Sequence, residues 1–209
     1  MREEQDGRFT LYGDSLSGNC LKTKWTAQRL SLDHNWVEVS VTSGATRTDA
    51  FLRMNPQGQV PVMQLSDGRI LPQSNAIILY LAEMAGSSLV PADTFARAQM
   101  MSWLFWEQYS HEPYIAVRRF RKAFLKQSDD EIDPQLLIRG HGALKVMEQH
   151  LAMSAYLTGD GLTLADIALV AYTRLAGEGG FDLSGYRHVV RWIWQVESDL
   201  CIEHAALTT

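Results

Sequence analysis

The chain has 209 residues, 46% of them hydrophobic and six of them Trp, enough for two small domains or one large one with a real core. A net charge of −5 and an isoelectric point near 5.7 give no general electrostatic case for nucleic acid, and no apolar run approaches the ~20 residues of a membrane-spanning helix. Met1 to Phe9 carries no apolar signal core, and Cys20 and Cys201 make no secreted disulfide framework, so a cytoplasmic protein with reduced thiols is expected.

In chain order, Arg8 to Tyr12 reads as a short strand, Gly13 to Gly18 as a loop of small residues, and Asn19 to Leu30 as a helix burying Leu21, Trp25 and Leu30. Trp36 to Val41 alternates as a second strand. Asp49 to Met54 is a short helix stopped by Asn55-Pro56. Val60 to Leu65 and Arg69 to Leu71 are strands joined by the hairpin signal Ser66-Asp67-Gly68. Ser74 to Ala85 is a helix ending at Gly86.

Residues 87–93 read as a linker between a first domain, 1–86, and a second, 94–209. Beyond the linker strand signals vanish, and no glycine occurs from Ser87 to Arg139. A long helix is expected from about Thr94 to Lys126, bent or broken near Pro113. A second runs from Pro134 to Met153, with Leu137, Leu144, Met147 and Leu151 on one face. Thr163-Leu164-Ala165-Asp166 fits a helix capping box, with Leu162 and Ile167 placed as a hydrophobic staple. The helix it opens is apolar almost all round and should be buried. Tyr186 to Ser198 makes a last helix, with Val189, Trp192, Ile193 and Val196 facing inward.

The most informative stretch runs from Met54 to Met63 and on to Ile77. Pro61 stands where a strand would want a backbone donor, and a cis Val60-Pro61 bond would resolve that. Val60 would then offer its N–H and C=O to an extended peptide, as an added strand does. Ser74 opens a helix, and helix N-termini bind carboxylates. A peptide half-site beside a carboxylate half-site points to a small acidic peptide.

The patterns N-P-x-G-x-V-P at Asn55–Pro61 and Gln73-Ser74-x-Ala76-Ile77 resemble the glutathione-binding region of the glutathione S-transferase family. The β-α-β-α-β-β-α order is similar to that family's thioredoxin-like domain, and the capping box at Thr163–Asp166 to its all-helical domain. The resemblance implies an α/β thioredoxin-like domain followed by an all-helical bundle. It also implies glutathione as co-substrate, a homodimer and a role in detoxification.

Such chemistry needs a thiolate, whereas a free thiol with a pKa near ~8.5 is mostly protonated at neutral pH. A donor near the sulfur is therefore required. By resemblance to serine-type bacterial members (theta- and zeta-like), Ser17, five residues after Tyr12, is the preferred donor, with Asn19 assisting. Alternatives are Ser17 as a mere helix cap, Tyr12 as the donor, here read as core, and Ser15 below Ser17. Cys20 fits a small buried residue better than a redox thiol.

Gln73 and Ser74 take the places of the γ-glutamyl binders, and Gln59 lies near the glycine carboxylate. The family usually carries an acidic residue and a Lys where Gln73 and Gln59 stand, so modest affinity is expected. A second-substrate pocket is expected around Leu16, Trp106 and Tyr109. Arg118, Arg121, Lys122 and Lys126 read as a solvated basic face. Six scattered histidines argue against a metal site. The expected reaction is attack of the glutathione thiolate on a small, mostly apolar electrophile. Alternatives are a glutathione-dependent isomerase or reductase, or a non-catalytic binding or scaffold protein on the same fold.

Overall fold

A computed structural model describes residues 9–205 and 207, and the charged stretch before Phe9 lies outside them. The chain divides into two compact units, Met1–Ser87 and Ser88–Thr209.

The first unit is a four-stranded sheet with helices on both faces. The strands are β1 (Phe9–Gly13), β2 (His34–Glu38), β3 (Val62–Gln64) and β4 (Ile70–Pro72), in the order β2-β1-β3-β4. β1 pairs with β2 in parallel and with β3 antiparallel. Three helices join them: α1 (Gly18–Arg29), α2 (Asp49–Met54) and α3 (Ser74–Met84). Side chains alternate across a strand, so β1 feeds two cores. Phe9 and Leu11 pack with Ala27 of α1, Met63 of β3, and Ile77 and Leu81 of α3. Tyr12 turns the other way, against Val39, Phe51 of α2 and Val62. This is the thioredoxin-like arrangement expected from the element order.

Two local expectations need correction. The second strand is His34–Glu38, not Trp36–Val41. Pairing with β1 sets its limits, from Phe9 opposite His34 to Gly13 opposite Glu38, and no strand partner continues beyond Gly13. On α1, Trp25 is buried but Leu21 and Leu30 are only half-buried. The inward face carries Cys20, Lys22, Thr23, Thr26 and Ala27 instead. Burial by both β1 and α3 covers a wider face than apolar periodicity reveals.

The second unit is all helical. α4 (Thr94–Trp106) runs through a π-helical turn, Glu107–His111, into α5 (Glu112–Arg119), and a second π turn closes at Phe124. Pro113 lacks an N–H and its ring crowds the preceding turn, so the bend expected there is taken up as a π turn. The basic face is not simply solvated. Arg118 and Arg119 are buried, Arg118 and Lys122 share Asp129, and Arg119 pairs with Glu178.

α6 (Pro134–Leu151), α7 (Leu164–Thr173) and α8 (Arg187–Asp199) complete the unit. Every residue of α7 is buried. The capping box is formed: Asp166 accepts from the Thr163 N–H and hydroxyl, each at 2.9 Å. The same carboxylate accepts from the Leu157 N–H and the Trp192 indole, also at 2.9 Å. Burial pushes this carboxyl up, while the four donors favour its charged form. Among the described residues no helix is long and apolar enough to cross a membrane, and no group of His, Cys, Asp or Glu could hold a metal ion.

Replacing Asp166 by Ala would strand four buried donors. We expect Asp166→Ala to cost about 3–5 kcal/mol and to lower the thermal midpoint by roughly 10 °C. Calorimetric melting checks this, and a cost below about 1 kcal/mol would show that the box does not hold the unit together.

Candidate active site

The candidate site lies where two helices of the first unit begin. Helix starts leave N–H groups without intrahelical partners, and most starts here are closed by side chains. Thr48 caps α2, Asp93 caps α4 and Asp133 caps α6. Glu148 accepts from the His188 and Val189 N–H groups at the start of α8. α5 continues from a π turn and has no separate start. At the starts of α1 and α3 the N-cap residues, Ser17 and Gln73, do not cap the helix with their own side chains. Both retain the electropositive end of a helix for something else.

Ser17 is half-buried with extended backbone (φ −87°, ψ 121°), and its hydroxyl does not cap α1. The loop before it is held by two acids that the sequence reading did not single out. Asp14, buried, accepts from the Leu16 N–H at 2.9 Å and the Val41 N–H at 2.8 Å. Glu38 accepts from the Ser15 N–H at 2.8 Å and the Ser15 hydroxyl at 2.7 Å. The Ser15 N–H, helped by the Trp36 indole and the Ser15 hydroxyl, holds the Glu38 carboxyl below its ordinary range. Asp14 bonding two residues ahead is a turn signal that could have been read from sequence. The reach of Glu38 to Ser15 could not.

The rival hydroxyls are engaged elsewhere. Tyr12 donates to Gln64 Oε1 at 2.9 Å, on the α2 side of the sheet, and Ser15 donates to Glu38. Cys20 is fully buried, and burial pushes its thiol up to about 12, only partly offset by hydrogen bonding at Asp14 and from the Ser17 side chain. A thiol so rarely ionised is a poor nucleophile.

Asn19 links the two helix starts. Its Oδ1 accepts from the Ser74 hydroxyl at 3.1 Å and from Lys22 Nζ at 2.7 Å. Gln73 has a left-handed φ of 76°, which a Gln side chain rarely adopts. Such backbone concentrates at ligand-binding positions. Gln73 Nε2 donates to Gln57 Oε1 at 3.2 Å, which brings the turn before β3 to the start of α3.

That turn is built around buried Asn55. Its side chain accepts from the Gln57 N–H at 3.2 Å and donates to the Gln59 carbonyl at 2.8 Å. Gly58 has φ +61°, and a Cβ there would lie 2.6 Å from the Arg47 guanidinium, so a side chain would displace it. The Val60-Pro61 bond is cis, Pro61 is buried, and Val60 lies just before β3. Ser17, Asn19, Gln73 and Ser74 are thus joined to the Gln57–Pro61 turn within the first unit. Leu16 is 55% exposed beside Ser17. Trp106 is half-buried and Tyr109 is 82% exposed, both on the second unit.

Comparison with known proteins identifies the family. Residues 16–84 match the glutathione S-transferase N-terminal domain, and residues 104–199 match its C-terminal domain. Glutathione S-transferase 3 of Zea mays is 33% identical over 167 residues, 75% of this chain and 72% of the relative. A crystal structure of a glutathione S-transferase from Pseudomonas fluorescens Pf-5 is 45% identical with a TM-score of 0.87, covering 91% of this chain and 94% of that one. Another from Xanthobacter autotrophicus Py2 is 42% identical with a TM-score of 0.85, covering 95% and 96%. The chain therefore belongs to the glutathione S-transferase family, an enzyme family whose co-substrate is glutathione.

Proposed function

We propose that this chain joins the glutathione thiolate to a small, mostly apolar electrophile, with Ser17 as the donor that holds the sulfur ionised. The supporting observation is that Ser17 opens α1 without capping it, while the hydroxyls of Tyr12 and Ser15 are bonded elsewhere. A hydroxyl at an electropositive helix start lowers the free energy of a nearby anion and so its pKa. Asn19 assists from one residue beyond the uncapped start.

The remaining groups bind the peptide. Val60 pairs its backbone with the cysteinyl residue, as an added strand would. The start of α3 receives the γ-glutamyl carboxylate through Ser74, and Gln73 takes the amino end. Gln59 lies toward the glycine carboxylate. Leu16 offers apolar surface beside the reacting sulfur. In this reading the protein is a serine-type bacterial member of the family and works as a cytoplasmic homodimer. A reductase working through Cys20 is disfavoured by the burial of that thiol.

Two measurements check this reading. Bound glutathione, followed by thiolate absorbance, should ionise near neutral pH in the wild type. In Ser17→Ala the bound thiol should return toward ~8.5, because removing a donor to the anion favours its protonated form. Calorimetric affinity should change by less than about threefold, while kcat/KM falls about a hundredfold. No binding at millimolar glutathione would instead favour a binding or scaffold protein on this fold. Second, Gln73→Glu restores a charge opposite the ligand's amino group and should tighten glutathione about fivefold by calorimetry. A change below about twofold would place the amino group elsewhere.

A further inference from the structure

The π turns of the second unit depart from the ordinary helix, and single π turns concentrate at functional sites. The first, Glu107–His111, is closed by the Glu112 N–H bonding to the Glu107 carbonyl, one residue wider than an α turn. Residues five apart across it therefore stand nearly one above the other, as residues four apart do in an α-helix. Tyr109 and Tyr114 have that spacing, and both meet Arg139 of α6. Arg139 Nη1 donates to the Tyr114 hydroxyl at 3.0 Å, and the guanidinium lies 5.5 Å from the centre of the Tyr114 ring. The Tyr109 hydroxyl acts on the same cation through space.

This trio keeps unused capacity. Tyr114 accepts from Arg139, so its own proton is left to donate, and among the described residues no acceptor takes it. Arg139 spends one N–H on Tyr114 and keeps the rest. Among the described residues no carboxylate stands within ion-pair distance of it, whereas Arg118, Arg119 and Arg174 each meet one. Tyr109 lays an open ring beside the charge. Holding α5 to α6 is a weak use of such a pair, since contacts between exposed polar groups contribute little.

The charged groups on the neighbouring elements leave Arg139 its charge. Asp133 acts on it only through space, and its carboxylate accepts from the Gln135 N–H at the start of α6. Glu107 is fully buried and accepts from Gln108. Glu112 stands two residues before Tyr114, roughly 200° round the helix. Glu148 is bonded to the first N–H groups of α8. Lys145, the next cation along α6, lies about 9 Å further along the axis.

We infer that Tyr109, Tyr114 and Arg139 form a binding site on the second unit for a small aromatic carboxylate. The planar guanidinium matches a carboxylate with two parallel N–H···O bonds. The Tyr114 hydroxyl adds a further donor, and the Tyr109 ring offers a face to an aromatic body. A single cation suits a single negative charge, which favours a carboxylate over a doubly charged phosphate. The site is built within the second unit and does not depend on which hydroxyl serves the thiol.

Equilibrium dialysis of the full chain with naphthoate, and with neutral naphthamide of the same shape, tests this. Wild type should bind naphthoate with a Kd below about 1 mM and the amide at least about tenfold more weakly. Arg139→Gln, which keeps N–H donors without the charge, should weaken naphthoate about tenfold. Tyr114→Phe, which keeps the ring and loses the donor, should weaken it about threefold. Arg139→Lys keeps the charge without the planar fork, should fall between wild type and Arg139→Gln, and serves if Arg139→Gln does not fold. Saturating glutathione should leave naphthoate bound, and the Arg139 variants should bind glutathione as wild type does. Acid and amide bound alike, wild-type affinity in Arg139→Gln, or no naphthoate bound at about 5 mM would each overturn the inference. So would displacement by glutathione, which would put the carboxylate in the first unit.

Discussion

A helix that starts inside a protein cannot leave its first N–H groups without partners, and this constraint separates structure from site. At α7 the start is buried, and Asp166 closes it with help from Thr163. The same carboxylate binds Leu157 and the Trp192 indole, so one side chain ties α7 to α8 and to the loop between α6 and α7. At α1 and α3 the N-cap side chains, Ser17 and Gln73, do not do this. The two starts are brought together by the Ser74 hydroxyl, which donates to Asn19. A ligand with a thiolate and a carboxylate supplies the negative charge that such starts favour.

The loop before α1 illustrates how polar burial directs chemistry. Two carboxylates hold this loop, Asp14 and Glu38. They bind N–H groups of the loop and the hydroxyl of Ser15. That leaves Ser17 as the one of three nearby hydroxyls that is bonded neither to Glu38 nor across the sheet, since Tyr12 is bonded to Gln64. Cys20 sits in the first turn of α1, and burial penalises its thiolate more than neighbouring donors favour it. Similar residue types within one short stretch thus take opposite roles according to what each is bonded to.

The second unit follows the same physics with different materials. Pro113 interrupts the ladder of a long helix, and a π turn absorbs the interruption. Arg118 and Arg119 sit inside the unit because acidic and backbone partners, Asp129, Glu178 and the Gly179 carbonyl, meet their guanidinium groups. A buried cation needs such partners wherever it occurs.

Much of this was legible in the chain itself. Turn residues, helix caps and apolar periodicity are local signals, so they placed the strands around Pro61, the helix opening at Ser74, the capping box at Thr163 and the two-part organisation. Backbone chemistry also singled out Val60-Pro61, because a proline at that place has few ways to fit. What local signals could not carry was pairing at a distance. The end of β2 was set by Gly13 on another strand, and the inward face of α1 by α3. The commitments of Tyr12, Ser15 and Asn19 were set by Gln64, Glu38 and Ser74. Sequence determined which groups could donate, accept or turn the chain; only the tertiary structure decided which of them were already occupied, because a hydrogen bond between distant residues exists only once folding brings its two ends together.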